Sequence, residues 1–535
     1  MKKRLLALFL ALMLVLAGCQ MDSVYFQKLK LTARGYQVIR YDEMEYQRPD
    51  MTHFQQVLDE SCAVAAAGED LDAVVDAIFA FYEVYDGFYT NLDLAYLHYS
   101  ADLRDTYWSA EYDYCAAQYA QADAGLQTLY AALAASPLRQ ELEGDDYFGA
   151  GYFEAYDGET IWDEGFVALL GEEADIQNRY YEISAQWGTM DYLDICENYG
   201  DELTGILLDL IGKRQEIAAY TGYDSYAQFA YDFYHYRDYT PDQALAYTEL
   251  IARELTPLYR TLSEWDVFSL GYSPCSTAEC LKYVSDCAAA MGGSVEEAFM
   301  LLNCGKLYDI SSSQYKSNIS FETYLDSYYE PFIFINSTGT VYDQLTLAHE
   351  FGHFAHDFVC WGSYAGTDVA EVLSQGMEYL SLCYGTDTQE LEKLKMADSL
   401  CVYIEQAAYA AFEHRMYELT GEDLTAENLR DLYIQVVQEF ALDSWEWDPR
   451  EFVTITHLYV EPMYLISYVV SNDAAFQLYQ MERAEAGAGL ACYEQMLTRE
   501  DSDFSAFVED MGLEDPFTAH RVTAVRQTME EILGS

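Results

Sequence analysis

The chain has 535 residues and carries 28 Lys+Arg against 91 Asp+Glu, a formal net charge of −63. That balance argues against nucleic acid and against an electrostatic grip on anionic lipid, since both need a cationic footprint. Hydrophobic residues at 51% and only 9 prolines support a sizeable core and disfavour both disorder and a turn-rich sandwich or barrel. Length allows about three domains of roughly 100–200 residues, or one large helical body with lobes.

Residues 1–20 read as an export signal. Lys2, Lys3 and Arg4 precede an unbroken apolar run from Leu5 to Leu16, which is short for a membrane span. Leu16-Ala17-Gly18-Cys19 resembles the lipobox of bacterial lipoproteins. The resemblance implies a signal peptide over 1–18, a mature chain starting at Cys19, and a lipid on that cysteine. The expected location is therefore extracytoplasmic, with the membrane engaged only through this anchor. Eleven cysteines follow Cys19, an odd number, mostly among apolar residues, so no disulfide framework is expected. Cys275, Cys280 and Cys287 lack the C-x-x-C spacing of a zinc knuckle.

Helical periodicity dominates the chain beyond Cys19. Leu71, Val74, Val75, Ile78, Phe79 and Tyr82 fall three or four apart and form one apolar stripe. Similar stripes occupy 110–135, 202–220, 241–262, 391–416 and 425–441. The glycine- and acid-rich segment Gly144 to Gly158 reads as a link between an N-terminal helical lobe, 19–150, and the remainder, 151–535. Further loops are expected over Pro274 to Cys280 and at Gly292-Gly293. Most of the 50 tyrosines are expected to pack in cores or line the lobes.

One strand is predicted, Pro331 to Ile335, followed by a turn-rich segment from Asn336 to Thr340. Its edge offers a place for an extended peptide to pair; four consecutive apolar residues equally fit a buried core strand. A helix is predicted from about Asp343 through Asp357, with Leu347, Phe351, Phe354 and Phe358 on its buried face.

This helix contains His349-Glu350-Phe351-Gly352-His353, the pattern H-E-x-x-H. Residues four apart lie one above the other on a helix, so two imidazoles can converge on one metal. Glu350 lies beside them and can take a proton from water held there. A catalytic zinc needs a third protein ligand and an open fourth position. His356 shares the face, but three ligands from two turns of one helix strain the geometry. Position 359, ten after His349, is a valine. Glu371, with Ser374 and Glu378 at helical spacing, sits on a second predicted helix that would face the first. The expected metal site is His349, His353 and Glu371, one Zn2+ per chain. Glu378 and Asp357 are candidate partners for the ligating histidines. Gly362 and Gly366, between the two helices, suggest a mobile substrate loop or a plain turn.

These residues carry a family likeness. Pro331 to Asn336, Gly339-Thr340, Asp343, the His349 to His353 block and the Glu371/Ser374 spacing resemble the active-site region of the thimet oligopeptidase and oligoendopeptidase F family. His457-Leu458-Tyr459, Pro462-Met463-Tyr464 and Tyr468 resemble that family's His and Tyr segment, and Tyr41 to Pro49 (YDEMEYQRP) is similar to the opening of oligoendopeptidase F-like chains. The resemblance implies a zinc metallopeptidase acting on short oligopeptides. Its implied fold is mainly α, with two helical lobes around a deep substrate channel and a small β-sheet beside the H-E-x-x-H helix. It assigns zinc to His349, His353 and Glu371, general acid and base work to Glu350, and substrate or oxyanion contacts to His457, Tyr464 and Tyr468. The stretch Asp368 to Ser374 around Glu371 lacks the Arg-Asp pair and the Pro-Ser-Gln step of the thimet branch, so the chain looks closer to the oligoendopeptidase F branch. The expected function is metalloendopeptidase activity; the alternatives are a carboxypeptidase-type exopeptidase and a lipoprotein that binds peptides without cutting them. The acidic field should favour basic peptides.

Overall fold

The computed structural model describes residues 31–32, 35–144, 147–156, 164–187, 190–262, 267–362, 365–444, 447–501 and 503–534. The signal segment with Cys19, part of the 144–158 link, and Ser363 and Tyr364 of the inter-helix loop lie outside the described residues. The protein is mainly helical, with one three-stranded sheet.

The N-terminal part is a three-helix unit: α1 (Met51–Ala67), α2 (Leu71–Ala101) and α3 (Thr106–Ala134). Asp50 starts α1 by accepting from the backbone N–H groups of Thr52 and His53, which satisfies two of the four donors that a helix start leaves open. Phe54, Leu58, Val74, Ile78, Phe81, Phe88, Leu129 and Leu133 pack into a small core of their own, which ends at Phe153. The second half of α2 crosses into the main core through Leu94 and Leu97. One continuous helix therefore belongs to two cores and couples them mechanically.

The main body begins with α4 (Glu164–Ser184), α5 (Tyr192–Tyr220) and α6 (Pro241–Tyr259). Thr240 and Gln243 form a reciprocal capping box ahead of α6, with Pro241 at its first position. The sheet comprises β1 (Tyr308–Asp309), β2 (Ser320–Leu325) and β3 (Glu330–Ile335), in the order β1-β3-β2. β3 pairs in parallel with β1 and antiparallel with β2, with Phe332 opposite Thr323 and Phe334 opposite Phe321.

This corrects one expectation. β3 is the central strand, and all six of its residues are buried, so its edge is not open to a peptide. A run of apolar residues is stable only with both faces covered, and α7 (Tyr342–Cys360) covers one of them. The edge strands are β1, of two residues, and β2, of six. Next come α8 (Thr367–Tyr384), α9 (Gln389–Met416), α10 (Leu465–Ala484) and α11 (Ala519–Leu533). α8 is sandwiched between α7 and α10. It is buried almost all round, so its polar residues Glu371, Ser374, Gln375 and Glu378 are buried too. Buried polar groups need partners: Glu371 and Glu378 meet His349 of α7, and Gln375 donates to Ser471 of α10. Among the described residues no helix is long and apolar enough to cross a membrane. The eleven cysteines described are all free, and Cys275 and Cys280 approach to 3.5 Å between sulfurs.

Candidate metal centre

The pair begins as local geometry. His349 and His353 lie one turn apart on α7, their rings 5.2 Å centre to centre, and Glu350 lies beside them, 6% exposed. The third member depends on how closely α8 approaches. A Cβ at Gly352 would lie 2.6 Å from both the Leu373 carbonyl oxygen and the Ser374 Cα, so only glycine allows this helix contact. With the backbones in contact, Glu371 projects across to the histidines. One ligand atom from each of His349, His353 and Glu371 then lies within 4.8 Å of the others, and this is the one such convergence of His, Cys, Asp or Glu among the described residues.

The surroundings orient each donor. His349 Nδ1 is 2.9 Å from Glu378 Oε1, which leaves its Nε2 facing Glu371 Oε2 at 3.6 Å. Glu378 is held from its other oxygen by Lys395 of α9, with Nζ at 2.7 Å. Ser374 Oγ donates to Glu371 Oε2 at 3.3 Å, and Tyr464 Oη donates to Glu371 Oε1 at 2.9 Å. Burial favours the neutral form of His353 and lowers it to about 4, so its lone pair is free. Burial also disfavours a charged His349, but the hydrogen bond it donates to Glu378 and the charges of Glu371, Glu378 and Glu350 lift it to about 9. A site that raises the proton affinity of an imidazole attracts any cation. Two imidazole nitrogens and one carboxylate oxygen form the donor set that holds zinc with a position left open, so these residues fit the ion. Burial, with the nearby carboxylates and against the pull of His349, raises the Glu350 carboxyl to about 7, which suits an acid and base working near neutrality. A cavity of about 210 Å³ opens beside the pair, lined by Tyr342, Leu345, Thr346, His349, Glu350, Glu378 and Asp398.

The His and Tyr segment closes the other side. The His457 and Tyr464 rings stack at 5.3 Å, and Tyr468 meets Tyr464 edge-on at 5.1 Å. Tyr468 Oη and His457 Nε2 are 3.4 Å apart. Burial lowers the proton affinity of His457. Burial and the Glu371 charge push the Tyr464 phenol far above its ordinary value, so it stays a protonated donor. All seven residues singled out in the sequence thus meet in one place.

His356, set aside as a third ligand on geometric grounds, points away, with Nε2 bonded to the Arg499 carbonyl at 2.8 Å. The expected partnership of Asp357 needs correction: it lies against His356 at 3.4 Å and reaches His353 through its charge, and among the described residues Glu378 is the hydrogen-bond partner of the pair. Gly362 adopts φ +71°, and a Cβ there would meet the Tyr324 ring at 2.2 Å, which packs the start of the inter-helix loop onto β2. The sequence reading missed Lys395, Arg237 and Arg214. Each is a buried cation in a helix or loop distant along the chain, and a charge amid an apolar stripe was their one available signal.

The peptidase family M3 model matches residues 305–525, and the peptidase M3 N-terminal domain model matches 41–158; together they take in more than half of the chain. A comparison with curated protein sequences found no match. Among solved structures, one described as oligoendopeptidase F is 20% identical with a TM-score of 0.78, covering 93% of this chain and 99% of its own. PZ peptidase A with an inhibitor is 18% identical with a TM-score of 0.78, covering 92% and 99%. A protein from Bacillus anthracis described as an oligoendopeptidase F is 18% identical with a TM-score of 0.76, covering 93% and 99%. At these identities the likeness establishes the fold.

Proposed function

The chain belongs to peptidase family M3 and is a metallopeptidase, and from that premise we propose a zinc-dependent endopeptidase of short oligopeptides with Glu350 as its general base and acid. The observation that carries this reading is the convergence of His349, His353 and Glu371 within 4.8 Å, with Glu350 adjacent on the same helix. Zinc held by those three residues would lower the pKa of a water to about 7 and polarise the carbonyl under attack.

The rest of the chemistry falls to the chain itself. Glu350 accepts the proton of the attacking water and returns it to the departing amine, and its carboxyl near 7 suits both transfers. The carbonyl oxygen becomes negative as the bond is attacked, and donors aimed at that position stabilise it. Tyr464, His457 and Tyr468 supply an O–H, an N–H and an O–H there. Tyr464 donates to Glu371 at 2.9 Å, so it serves the reaction by turning that O–H from the carboxylate to the substrate. The free edge of β2 offers backbone groups to an extended peptide; burial, with the charges of Asp357 and Glu350, pushes the carboxyl of Glu322 on this strand well above its ordinary value.

For location, Lys2 to Cys19 support export and lipid attachment at Cys19, tethering the enzyme outside the cytoplasmic membrane. Labelled fatty acid should enter the parent chain and not Cys19→Ala; equal labelling of both would end this part of the reading.

The functional test compares a form lacking residues 1–19 with its Glu350→Gln variant, both loaded with one equivalent of zinc, on an internally quenched oligopeptide. Cleavage should fall by at least about 10²-fold in the variant. Silence of both with zinc bound would favour a peptide-binding lipoprotein, and equal activity would refute the role of Glu350. Cuts confined to the termini of a decapeptide would replace the endopeptidase by an exopeptidase.

A further inference from the structure

The segment from His457 to Tyr464 contains no glycine, yet Met463 has φ +65°. A residue with a side chain rarely adopts that left-handed conformation unless its surroundings hold it there. Here both polar groups of Met463 are taken by buried ionisable side chains from elsewhere. Glu413 of α9, 1% exposed, accepts from the Met463 N–H at 2.8 Å. Arg237 donates Nη1 to the Met463 carbonyl at 2.8 Å. The preceding carbonyl, that of Pro462, bonds to His235 Nε2 at 2.9 Å. Arg214 of α5, fully buried, donates to the Leu458 and Tyr459 carbonyls, each at 2.6 Å.

Arg237 does more than hold the loop. It also pairs with Asp368 at 3.1 Å and donates to Ser467 at 2.7 Å. Asp368 lies three residues before Glu371 on α8, and Ser467 lies on α10. One guanidinium therefore joins the loop that ends in Tyr464, the helix that carries Glu371 and the helix that carries Tyr468. Burying such ions is costly, and apolar packing would hold a loop at less expense. Charged hydrogen bonds to one residue's N–H and C=O instead fix direction, because they weaken steeply off axis.

We propose that Glu413 and Arg237 are positioning residues for peptide hydrolysis: they hold Met463 in its left-handed turn so that the Tyr464 hydroxyl stays poised between Glu371 and the substrate. This rests on the reading of Tyr464 as a donor to the reacting carbonyl. Without the two side chains Met463 relaxes to negative φ, which redirects the chain at the residue before Tyr464 and withdraws its ring from the site. Neither residue touches the substrate.

The test uses the full chain with zinc content measured for every variant. Glu413→Gln keeps an acceptor for the Met463 N–H and should retain kcat within about twofold, whereas Glu413→Leu and Arg237→Lys should lose about ten- to a hundredfold in kcat with KM and zinc content little changed. In a Tyr464→Phe background Glu413→Leu should cost less than about twofold more, because both act through one hydroxyl. Hydrogen exchange of the 457–464 amides should quicken at least about tenfold in Glu413→Leu and Arg237→Lys. Unchanged kcat in Glu413→Leu and Arg237→Lys, a full additive loss in the Tyr464→Phe background, or unchanged exchange would each overturn the proposal. If Glu413→Leu does not fold, the contrast between Glu413→Gln and Arg237→Lys decides. If the parent cleaves no peptide, the functional reading fails and the exchange rates alone decide whether the two side chains hold the turn.

Discussion

Replacing Glu378 by Gln tests how the site orients its first histidine. Glu378 is the middle of a buried chain, His349 Nδ1 to Oε1 at 2.9 Å and Oε2 to Lys395 Nζ at 2.7 Å. Its side chain is 9% exposed and that of Lys395 is 4% exposed, so water compensates little for a lost partner. Glutamine keeps the shape and one acceptor for the Nδ1–H, but it removes the charge that draws His349 toward a cation and turns an NH2 toward Lys395. Outer partners of metal-bound histidines typically contribute 10–100-fold in affinity, or about 1.4–2.7 kcal/mol. Glu378→Gln should fall toward the weak end of that range. The charge-assisted bond is lost, and Lys395 is left with Asp398 at 3.7 Å as its remaining partner. Competition for zinc against a chromogenic chelator at fixed neutral pH measures the change. Lys395→Met supplies the opposite sign, since it leaves the Glu378 charge wholly to His349; it should hold zinc at least as tightly while lowering thermal stability. Zinc affinity within about twofold of the parent in Glu378→Gln, or a weaker site in Lys395→Met, would refute the reasoning.

Three further outcomes rest on the same geometry. Tyr464→Phe keeps the ring stacked on His457 and removes one donor, so kcat should fall about 10²-fold with KM little changed; steady-state kinetics on one peptide decide, and a pure KM effect would return Tyr464 to substrate binding. Gly352→Ala places a methyl 2.6 Å from the Leu373 carbonyl, which should push α8 from α7, cost about 1–3 kcal/mol by denaturant unfolding and weaken zinc binding as Glu371 retreats; a variant as stable as the parent would mean that the helices adjust freely. Stability should also fall with rising pH. Burial holds the Asp93 and Glu330 carboxyls up at about 8 and that of Asp326 at about 7. The folded chain keeps these protons while the unfolded chain, with ordinary values near about 4, has released them. The contribution is whole below about pH 4 and is lost as pH rises through about 7 to 8, and self-repulsion at a net charge of −63 acts in the same direction. Melting temperatures at about pH 5 and about pH 8.5 measure this; a higher value in the alkaline sample would contradict it.

What the sequence determined by itself was whatever depends on neighbours along the chain. Helical spacing of apolar residues locates α2, α5, α6 and α9, and the four-residue step from His349 to His353 carries its meaning within a single turn. Glu371 was legible because H-E-x-x-H demands a third ligand and few acids stand at helical spacing behind it. The family likeness pointed to His457, Tyr464 and Tyr468, and the fold brings all three to the site. Periodicity could not say whether β3 was an edge or a centre, because a buried strand and an open one share the apolar run Pro331 to Ile335; the pairing with β1 and β2 settled that. Nor could it choose between Asp357, on α7 itself, and Glu378, which reaches His349 only because α8 packs against α7. The tertiary structure alone decided the role of Gly352, which is an unremarked position in the motif until α8 lies 2.6 Å from its missing Cβ. It alone also brought Lys395 to Glu378, and Glu413 and Arg237 to Met463, across 50 and 226 residues in the second case. A buried ion is chosen by the partner that folding brings to it, and local pattern holds no record of that partner.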